Sequence, residues 1–379
     1  MVVRLSLLFF LVLYSGFSQE QYTISGSIYE SDGQETLLGA NVIFPNLGTG
    51  TISNEYGFYS ITLAAGTYEL NISYLGYKTI VKTIVLNQNL SQNFRLEATS
   101  DTLEEVVLKT DVERLNIKTP QMSINALNAN TIKQIPVVFG EADVIKAISL
   151  LPGVSTGGEG AGGFNVRGGS TDQNLILLDE ATLFNSSHLF GFFSVFNPDA
   201  IKNLRLYKGG IPAKYGGRVA SVLDIYQKEG NKNEFHGNGG IGLVASRILL
   251  EGPLEKEKGS FLLGGRSTYA HLFLPLFDIE NIAYFYDLNT KLSYRLDGAN
   301  KIYLSGYFGR DVFSVSNSFK NTYGNTVVNF RWNHLFSDRL FSNFSLIYSD
   351  YYYGLDLNFV GFEWNSGIQN MNVKFDLKQ

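Results

Sequence analysis

From about Asn233 onward, the sequence alternates between apolar and polar residues over long segments. Leu292 and Tyr294, for example, alternate with Lys291 and Arg295. A period of two places successive side chains on opposite faces of a β-strand. These segments run for about 11 to 15 residues, whereas strands of globular proteins favour about 5 or 6 and transmembrane β-strands need about 10. The pattern therefore predicts antiparallel strands that cross a membrane with one face towards lipid.

The same alternation assigns the two faces of these strands. The residues expected to face lipid are Leu292, Tyr294, Phe330, Trp332, Phe344 and Leu346, and those expected to face the lumen are Lys291, Arg295, Asn329, Arg331 and Asn343. We expect short turns at 253–259, 297–300 and 337–338, and long loops at 271–283, 314–324 and 352–367. Roughly six strands and the start of a seventh fit this pattern, which is typical of outer-membrane barrels.

Composition and the N-terminus exclude several classes of protein. The formal net charge is −5, from 35 acidic and 30 basic residues, so the chain lacks the basic surface that nucleic-acid binding needs. The absence of cysteine excludes disulfides, thiolate metal sites and cysteine nucleophiles. Residues 1–18 contain Arg4, the apolar run Leu5–Tyr14 and small residues before Gln19. This predicts a secretory signal peptide, because the apolar run is shorter than the roughly 20 residues of a membrane-spanning helix.

Residues 21–97 show short apolar runs separated by turn signals. The strand candidates are 22–29, 40–44, 58–63, 67–75, 77–85 and 92–96. Short strands at this spacing predict a small β-sandwich. The sequence GSIYESDG, followed by LLGANVIFPNLGTGTISNEYGFYSITLAAGTYELNISYLGY, resembles the carboxypeptidase regulatory-like domain, which is a transthyretin-like sandwich.

Two stretches between residues 137 and 230 share an order of strand, glycine turn and strand. The first, 163–184, is GFNVRGGSTDQNLILLDEATLF, and the second, 203–225, is NLRLYKGGIPAKYGGRVASVLDI. Glycine permits positive φ and close approach of two backbones, so both stretches predict compact turns. Together they resemble the plug domain of TonB-dependent outer-membrane receptors, an α+β domain. Such plugs usually carry Asp-Gly after the first apolar strand, whereas this chain has Asp179-Glu180.

The resemblance implies a plug core built from the motif residues. These residues are Arg167, Gly168, Gly169, Asp179, Glu180, Lys208, Gly209, Gly210, Tyr215, Gly216, Gly217 and Arg218. We expect Arg167 to lie close to Asp179 or Glu180, because an arginine buried without a carboxylate partner would be strongly destabilising.

Residues 98–136 are polar and are predicted to link the sandwich to the plug. They contain a β-prone run with an acidic beginning, formed by Leu103, Glu104, Glu105, Val106, Val107 and Leu108. By itself this run predicts a short linker strand. Ahead of a plug-like domain it resembles the Ton box, the extended segment that the energy-coupling protein TonB recruits by strand addition.

The sequence contains no convincing catalytic, metal or cofactor site. The histidines at 188, 236, 271 and 334 open no H-E-x-x-H pattern. The run 153–157 matches G-x-S-x-G, but it follows a predicted helix at 141–151 instead of a strand. Asn54 and Glu55 supply too few oxygen ligands for a Ca²⁺ site. We therefore predict that the protein is not an enzyme and binds no cofactor.

The order of segments predicts a mainly β protein: signal peptide 1–18, sandwich 21–97, linker 98–136, plug 137–230 and barrel strands 231–379. The resemblance implies a bacterial outer-membrane receptor that imports a bulky nutrient. Its partners would be TonB, outer-membrane lipid and a transported ligand that the sequence does not identify, with a SusD-like lipoprotein as a further candidate. The alternative is a secreted or surface scaffold protein whose sandwich recognises a partner. A barrel that holds a plug has about 22 strands, so we expect this sequence to be part of a longer chain.

Overall fold

The computed structural model describes residues 20–31, 35–54, 56–99, 123–135, 141–156, 162–273, 281–316 and 318–378. The predicted signal peptide, 1–18, and the run 103–108 lie outside the described residues. The chain divides into two compact units. The first contains the N-terminal strands, and the second contains a central domain, residues 123–227, followed by a long-strand sheet. No helix within these described ranges is long and apolar enough to cross a membrane.

The first unit is a sandwich of two small sheets. Its strands are β1 (Gln21–Glu30), β2 (Asn41–Phe44), β3 (Thr49–Ile52), β4 (Phe58–Ala64), β5 (Gly66–Ser73), β6 (Ile80–Leu86), β7 (Leu90–Ser91) and β8 (Phe94–Leu96). In one sheet β1 pairs with β4, β7 and β8, and the other sheet has the order β3-β2-β5-β6. Ile24, Phe44 and Leu70 lie fully buried in the core between them. The predicted sandwich is confirmed, except that β3 was not predicted because its sequence, TGTI, shows no apolar run.

The central domain contains short helices and a mixed sheet. Its elements are β9 (Ile124–Asn128), α1 (Ala129–Gln134), α2 (Val144–Ser149), β10 (Val154–Ser155), β11 (Asn165–Val166), β12 (Asn174–Leu178), β13 (Ala181–Thr182), β14 (Ser187–His188), β15 (Phe193–Ser194), β16 (Ile201–Tyr207) and β17 (Ser221–Gln227). The sheet has the order β13-β12-β17-β16-β9, with β12 and β17 parallel. Because β9 pairs with β16, the sheet includes part of the predicted linker. Leu204, Leu206 and Leu223 are fully buried in its core.

The turn between β12 and β13 consists of Asp179 and Glu180. Their φ angles are 47° and 74°. Two-residue hairpins of the commonest type need positive φ at both central residues, and glycine usually occupies the second. Here glutamate adopts that conformation, so the chain turns without the Asp-Gly pair that plug-like sequences usually carry at this point. The turn also places two carboxylates side by side at the edge of the central domain.

The second unit continues into an antiparallel sheet whose strands follow chain order. They are β18 (His236–Ile241), β19 (Ala245–Glu255), β20 (Gly259–Thr268), β21 (Ile282–Arg295), β22 (Asn300–Val315), β23 (Phe319–Ser337), β24 (Leu340–Leu357) and β25 (Phe362–Lys378). The predicted alternation is confirmed. Leu292 and Leu346 are 39% and 44% exposed on the outer face, whereas Lys291 and Asn343 are 4% and 0% exposed on the inner face. The inner face lies against the central domain.

Two details of the predicted strand pattern are wrong. The sheet has 8 strands, because β18 (HGNGGI) is rich in glycine and carries no apolar alternation. The long loops predicted at 314–324 and 352–367 are mostly strand, since β22 and β23 continue to Val315 and from Phe319, and β24 and β25 to Leu357 and from Phe362. The strands therefore continue past their apolar segments into polar residues. Backbone hydrogen bonds between neighbouring strands do not require apolar side chains, so the apolar pattern ends before the strand does.

The outward face of this sheet can be tested at Leu346, which is predicted to face lipid. Replacing Leu346 with arginine should lower the free energy of unfolding by about 2–4 kcal/mol if the site lies near the bilayer midplane. Leu346→Met, which keeps an apolar side chain, should change it by less than about 1.5 kcal/mol. The measurement is denaturant unfolding of the receptor folded into phosphatidylcholine vesicles. Equal stability of the two variants would contradict a lipid-facing position.

Candidate functional site

The inner face of the long-strand sheet meets the central domain through ion pairs, and the first involves Asp179. The Lys291 Nζ lies 3.0 Å from Asp179 Oδ2 and donates to the Gln227 carbonyl at 2.8 Å. The Gln227 backbone N–H also donates to Asp179 Oδ1 at 3.1 Å. Asp179 and Lys291 are 1% and 4% exposed, so this pair is removed from water. One lysine of the sheet therefore holds both the β12–β13 turn and the end of β17.

The second ion pair involves the neighbouring turn residue, Glu180. The Lys374 Nζ lies 2.8 Å from Glu180 Oε1, and Arg331 Nε lies 3.5 Å from Oε2. The Ser345 hydroxyl donates to Oε2 at 2.7 Å. Burial by itself would raise the pKa of the Glu180 carboxyl, but the positive charges of Arg331 and Lys374 outweigh it and lower the pKa to about 2. Glu180 is therefore ionised at neutral pH and is bound from β23, β24 and β25.

Asparagines on the inner face of β23 bind backbone groups of the central domain. The Asn325 Oδ1 accepts from the Phe184 backbone N–H at 3.1 Å, and its Nδ2 donates to the Asn185 carbonyl at 2.9 Å. The Asn329 Nδ2 donates to the Asp179 carbonyl. An amide carries both donors and acceptors, so one side chain can satisfy both groups of a peptide that leaves its own sheet. These contacts fix the segment that follows β13.

A buried cluster forms around His188, the last residue of β14. His188 Nδ1 lies 2.6 Å from Asp311 Oδ2, and Nε2 lies 3.2 Å from Asp287 Oδ2. Arg266 donates to the same Asp287 carboxylate and lies 3.4 Å from Glu141. These side chains are all less than 10% exposed. The cluster joins β14 and Glu141, which precedes α2, to the three strands β20, β21 and β22 of the long-strand sheet.

A fourth group of charges lies where β17 passes into the long-strand sheet. The Glu229 carboxylate accepts from Lys232 Nζ at 3.0 Å, from Lys301 Nζ at 2.8 Å and from the Tyr303 hydroxyl at 3.2 Å. Burial opposes ionisation, but the lysine charges hold the pKa of Glu229 well below its ordinary value. Gly230 follows with φ 86°, and a Cβ at this position would lie 2.3 Å from the Phe261 carbonyl oxygen. Only glycine fits this close passage without rearrangement.

A cleft of about 760 Å³ lies between the central domain and the strands β23 to β25. Its lining includes the aromatic rings of Phe184, Phe190, Tyr323, Tyr351 and Tyr353 and the polar side chains of Asp172, Asn185, Ser186, Arg218 and Asn321. This volume is in the range of sites that bind small molecules. The mixture of aromatic faces, hydroxyls and amides can bind a polar ligand by stacking and hydrogen bonding.

Two family matches identify the domains of this chain. Residues 24–108 match the CarboxypepD_reg-like domain, and residues 116–222 match the TonB-dependent Receptor Plug Domain. The chain carries the plug domain of TonB-dependent receptors. The central domain is therefore the plug, and the long-strand sheet is barrel wall. The sequence-based resemblance to this family is confirmed, together with its sandwich and plug.

Relatives and solved structures agree with this assignment. The chain is 24% identical to the TonB-dependent receptor SusC of Bacteroides thetaiotaomicron over 230 residues, which are 56% of this chain and 22% of that protein. It is also 24% identical to a TonB-dependent receptor of Formosa agariphila over 232 residues, 58% of this chain and 21% of that one. These matches thus span about a fifth of the length of the curated relatives.

Two solved structures share the fold. The ferric enterobactin receptor of Pseudomonas aeruginosa matches with a TM-score of 0.52 and 16% identity, covering 67% of this chain and 46% of that one. The siderophore receptor PirA of Acinetobacter baumannii matches with a TM-score of 0.50 and 16% identity, covering 68% of this chain and 45% of that one.

The predicted pairing of Arg167 with a turn carboxylate is wrong. Asp179 and Glu180 are bound by barrel cations, and the exposed Arg167 donates to the Ser123 hydroxyl at 2.9 Å. Arg167 has φ 50°, and Gly168 follows it with φ 81°, so the turn directs the guanidinium to the surface beside β9. The cations that bind the two carboxylates come from a part of the chain more than a hundred residues away, which the local sequence around Arg167 does not indicate.

The other predicted plug-core residues divide between buried and exposed positions. Lys208 is buried and donates to the Pro152 carbonyl at 2.7 Å, and Tyr215 donates to Asp224 at 2.6 Å. Gly169 and Gly209 are half-buried. The exposed positions are Gly168, Gly210, Gly216, Gly217 and Arg218. They are turn residues outside the core, because glycines cluster where the chain reverses at the surface.

Sequence analysis missed the plug-binding role of Lys374, Ser345 and His188. It placed Lys291 and Arg331 on the lumen face without identifying their partners. The apolar–polar alternation of the long strands could have indicated such partners. A cation on the inner face of a strand needs a carboxylate partner when a packed domain covers that face. Among the described residues, no group of three or more histidines and carboxylates is placed to hold a metal ion.

The ionised state of Glu180 predicts an acid-sensitive contact. The pKa of Glu180 is lowered from 4.5 to about 2. Ionised Glu180 therefore stabilises the folded plug by about 3 kcal/mol above pH 4.5, and this stabilisation is lost as the pH falls towards 2. Glu180→Gln should remove this part of the acid dependence. The measurement is urea unfolding of the plug in the detergent-solubilised receptor between pH 2 and 6, with unfolding monitored by hydrogen exchange of the plug amides.

The matched control for this measurement is Glu363→Gln, at an exposed position of β25. This variant should keep the acid dependence of the wild-type receptor. If Glu180→Gln also keeps it, the acid-sensitive contact lies elsewhere.

Proposed function

We propose that this protein is an outer-membrane receptor that imports a bulky nutrient through a barrel closed by its plug. The observation that supports this most is the chemistry of the plug–wall interface. Barrel side chains bind the plug through ion pairs at Asp179 and Glu180 and through asparagine amides. We infer that this protein is a transporter and not an enzyme, in keeping with relatives that are receptors.

A polar interface suits a domain that must seal a pore and later rearrange. Separating two apolar surfaces exposes them to water at a cost of about 25 cal/mol for each Å². Ionic and amide groups regain hydrogen bonds to water when they separate, so their net contribution to association is close to zero in many cases. The buried core of the plug holds it together as a unit, while its charged margin can be hydrated when the plug moves.

Energy for this movement would enter from the periplasm through the run Leu103–Leu108. An extended segment can add as a strand to a sheet edge of TonB, because its backbone N–H and C=O groups are then paired. Glu104 and Glu105 favour solvation of the segment, and Val106 and Val107 have high β-propensity. The segment precedes the plug in the chain, so a pull on it would be transmitted to the plug.

The partners of the receptor follow from the same proposal. They are TonB, the lipid of the outer membrane and a transported ligand. The similarity to SusC also suggests a SusD-like lipoprotein at the cell surface. The cleft beside the plug is the part of this chain most suited to contact the ligand, since both plug and wall contribute to its lining.

The proposal predicts that Val106→Pro separates binding from uptake. Proline removes a backbone donor and should weaken strand addition by TonB. The folded plug and the outer surface should be unaffected, so ligand binding should remain while accumulation is lost. Ferric siderophores, cobalamin and oligosaccharides would first be compared in wild-type and deletion strains to find the transported class, and surface binding and accumulation of that class would then be measured together.

Val106→Thr provides a matched control, because threonine also has high β-propensity and keeps the backbone donor. It should support normal uptake. Normal uptake by Val106→Pro would mean that force does not enter through this segment. Identical uptake by wild-type and deletion strains for every class, with a soluble protein in the extract, would favour the alternative of a secreted scaffold.

A further inference from the structure

We propose that His188 is a positioning residue that holds the plug segment 184–196 against the barrel wall by donating from both ring nitrogens, one to Asp311 and one to Asp287. This segment forms one side of the cleft, so His188 would set the shape of the proposed ligand site. The link to ligand rests on the proposed transport function. The hydrogen bonds of His188 to the two carboxylates do not depend on that function, and they can be tested without any ligand.

The geometry of the ring defines its charge state. Nδ1 lies 2.6 Å from Asp311 Oδ2 and Nε2 lies 3.2 Å from Asp287 Oδ2. A carboxylate only accepts hydrogen bonds, and a neutral imidazole has a single N–H. Only the imidazolium can therefore donate to both carboxylates. The ring also stacks on Phe285 with centroids 4.2 Å apart, which keeps both nitrogens in line with their acceptors.

Charged and polar side chains from the neighbouring strands also lie around the His188 ring. From β20, Arg266 Nε donates to Asp287 at 2.8 Å, and Arg266 lies 3.4 Å from Glu141. From β22, the Tyr307 hydroxyl lies 3.1 Å from His188 Nε2. With His188 protonated, the cluster balances two positive charges against three carboxylates. Loss of its proton leaves one buried cation for three carboxylates, which is strongly unfavourable.

The same carboxylate fixes the backbone that follows. The Leu189 N–H donates to Asp311 Oδ1 at 2.8 Å, and the Phe190 N–H donates to the Tyr323 hydroxyl at 2.9 Å. Leu189 and Phe190 have φ angles of 46° and 56°, which residues with large side chains rarely adopt. Such a conformation persists only where surrounding contacts hold it. Asp311 thus binds the ring of one residue and the strained backbone of the next.

The strained turn also shapes the cleft. Phe190 lines the cleft and packs against Phe313 with ring centroids 5.3 Å apart. Tyr323, which accepts the Phe190 N–H, lines the cleft as well. Release of the ring from Asp311 would free both the turn and the aromatic side of the cleft.

The contact of His188 with Asp311 and Asp287 should weaken as the pH rises. Burial lowers the pKa of His188, but Asp311 and Asp287 outweigh this and raise the pKa above its ordinary value. A group whose pKa is raised in the closed state contributes stability that is complete below its ordinary pKa, about 6.5, and is lost as the pH rises through the raised pKa. A neutral ring has a single N–H and can donate to only one of the two carboxylates, so loss of the proton weakens the contact of the ring with Asp311 and Asp287 together.

The test is hydrogen exchange of the Leu189 and Phe190 amides in the detergent-solubilised receptor between pH 5.5 and 8.5. Dividing each rate by the intrinsic rate at the same pH gives a protection factor. Protection should be constant below about pH 6.5 and then fall about tenfold for each pH unit until the raised pKa is reached. Protection that is constant across the whole range would overturn the proposal.

Two variants separate a charge-dependent hold from simple packing. His188→Gln keeps a polar side chain but cannot become charged, so its protection should be low and independent of pH. His236→Gln, at an exposed position of β18, should behave as the wild type. The same pH dependence in His188→Gln as in the wild type would show that another group is responsible.

Asp311→Asn provides a second route if the glutamine variant does not fold. Removing one carboxylate lowers the raised pKa of the ring, so the fall in protection above about pH 6.5 should end at a lower pH and be smaller than in the wild type. An unchanged pH profile in this variant contradicts the proposal. Because no transport is measured, failure here leaves the import function untouched, and failure of import leaves the His188 contact untouched.

Discussion

The structure of the plug and its wall depends on charges that have been taken out of water in pairs. A β-strand directs every second side chain inward, so Lys291, Arg331 and the carboxylates of β21 and β22 face whatever fills the barrel. Each of these groups would be costly to bury alone. The plug presents a complementary group at each place: Asp179 to Lys291, Glu180 to Arg331, and His188 to the wall carboxylates. The position of the plug follows from this matching.

This matching explains why an unusual turn is stable. The Asp179-Glu180 turn requires positive φ at both residues, and glutamate is a poor residue for that conformation. Glycine would turn more easily, but it would remove the carboxylate that Arg331 and Lys374 share. Removing one partner of a buried pair costs about 3–5 kcal/mol, more than the backbone strain of roughly 1–3 kcal/mol. The ion pairs at Glu180 therefore outweigh the conformational cost.

The plug is apolar inside and mostly polar where it meets the wall. Its core contains Leu204, Leu206 and Leu223, which are fully buried, and the wall adds apolar contact through Tyr307, Val327 and Ile347. Dispersion and burial of apolar surface hold the plug together, whereas its orientation depends on directional polar contacts. A domain built in this way can change its relation to the wall without losing its own core.

The sequence by itself determined the features that depend on neighbouring residues. The period of two showed which side chains of β21, β23 and β24 share a face, and the ordered motifs in 163–184 and 203–225 indicated a plug. It placed Lys291 and Arg331 on the inner face, yet it paired Asp179 and Glu180 with Arg167. Tertiary structure decided the partners. Asp179 and Lys291 are 112 residues apart, and His188 and Asp311 are 123 apart. Alternation is a property of each strand's backbone, whereas an ion pair across such a distance exists only after the sheet has packed against the plug.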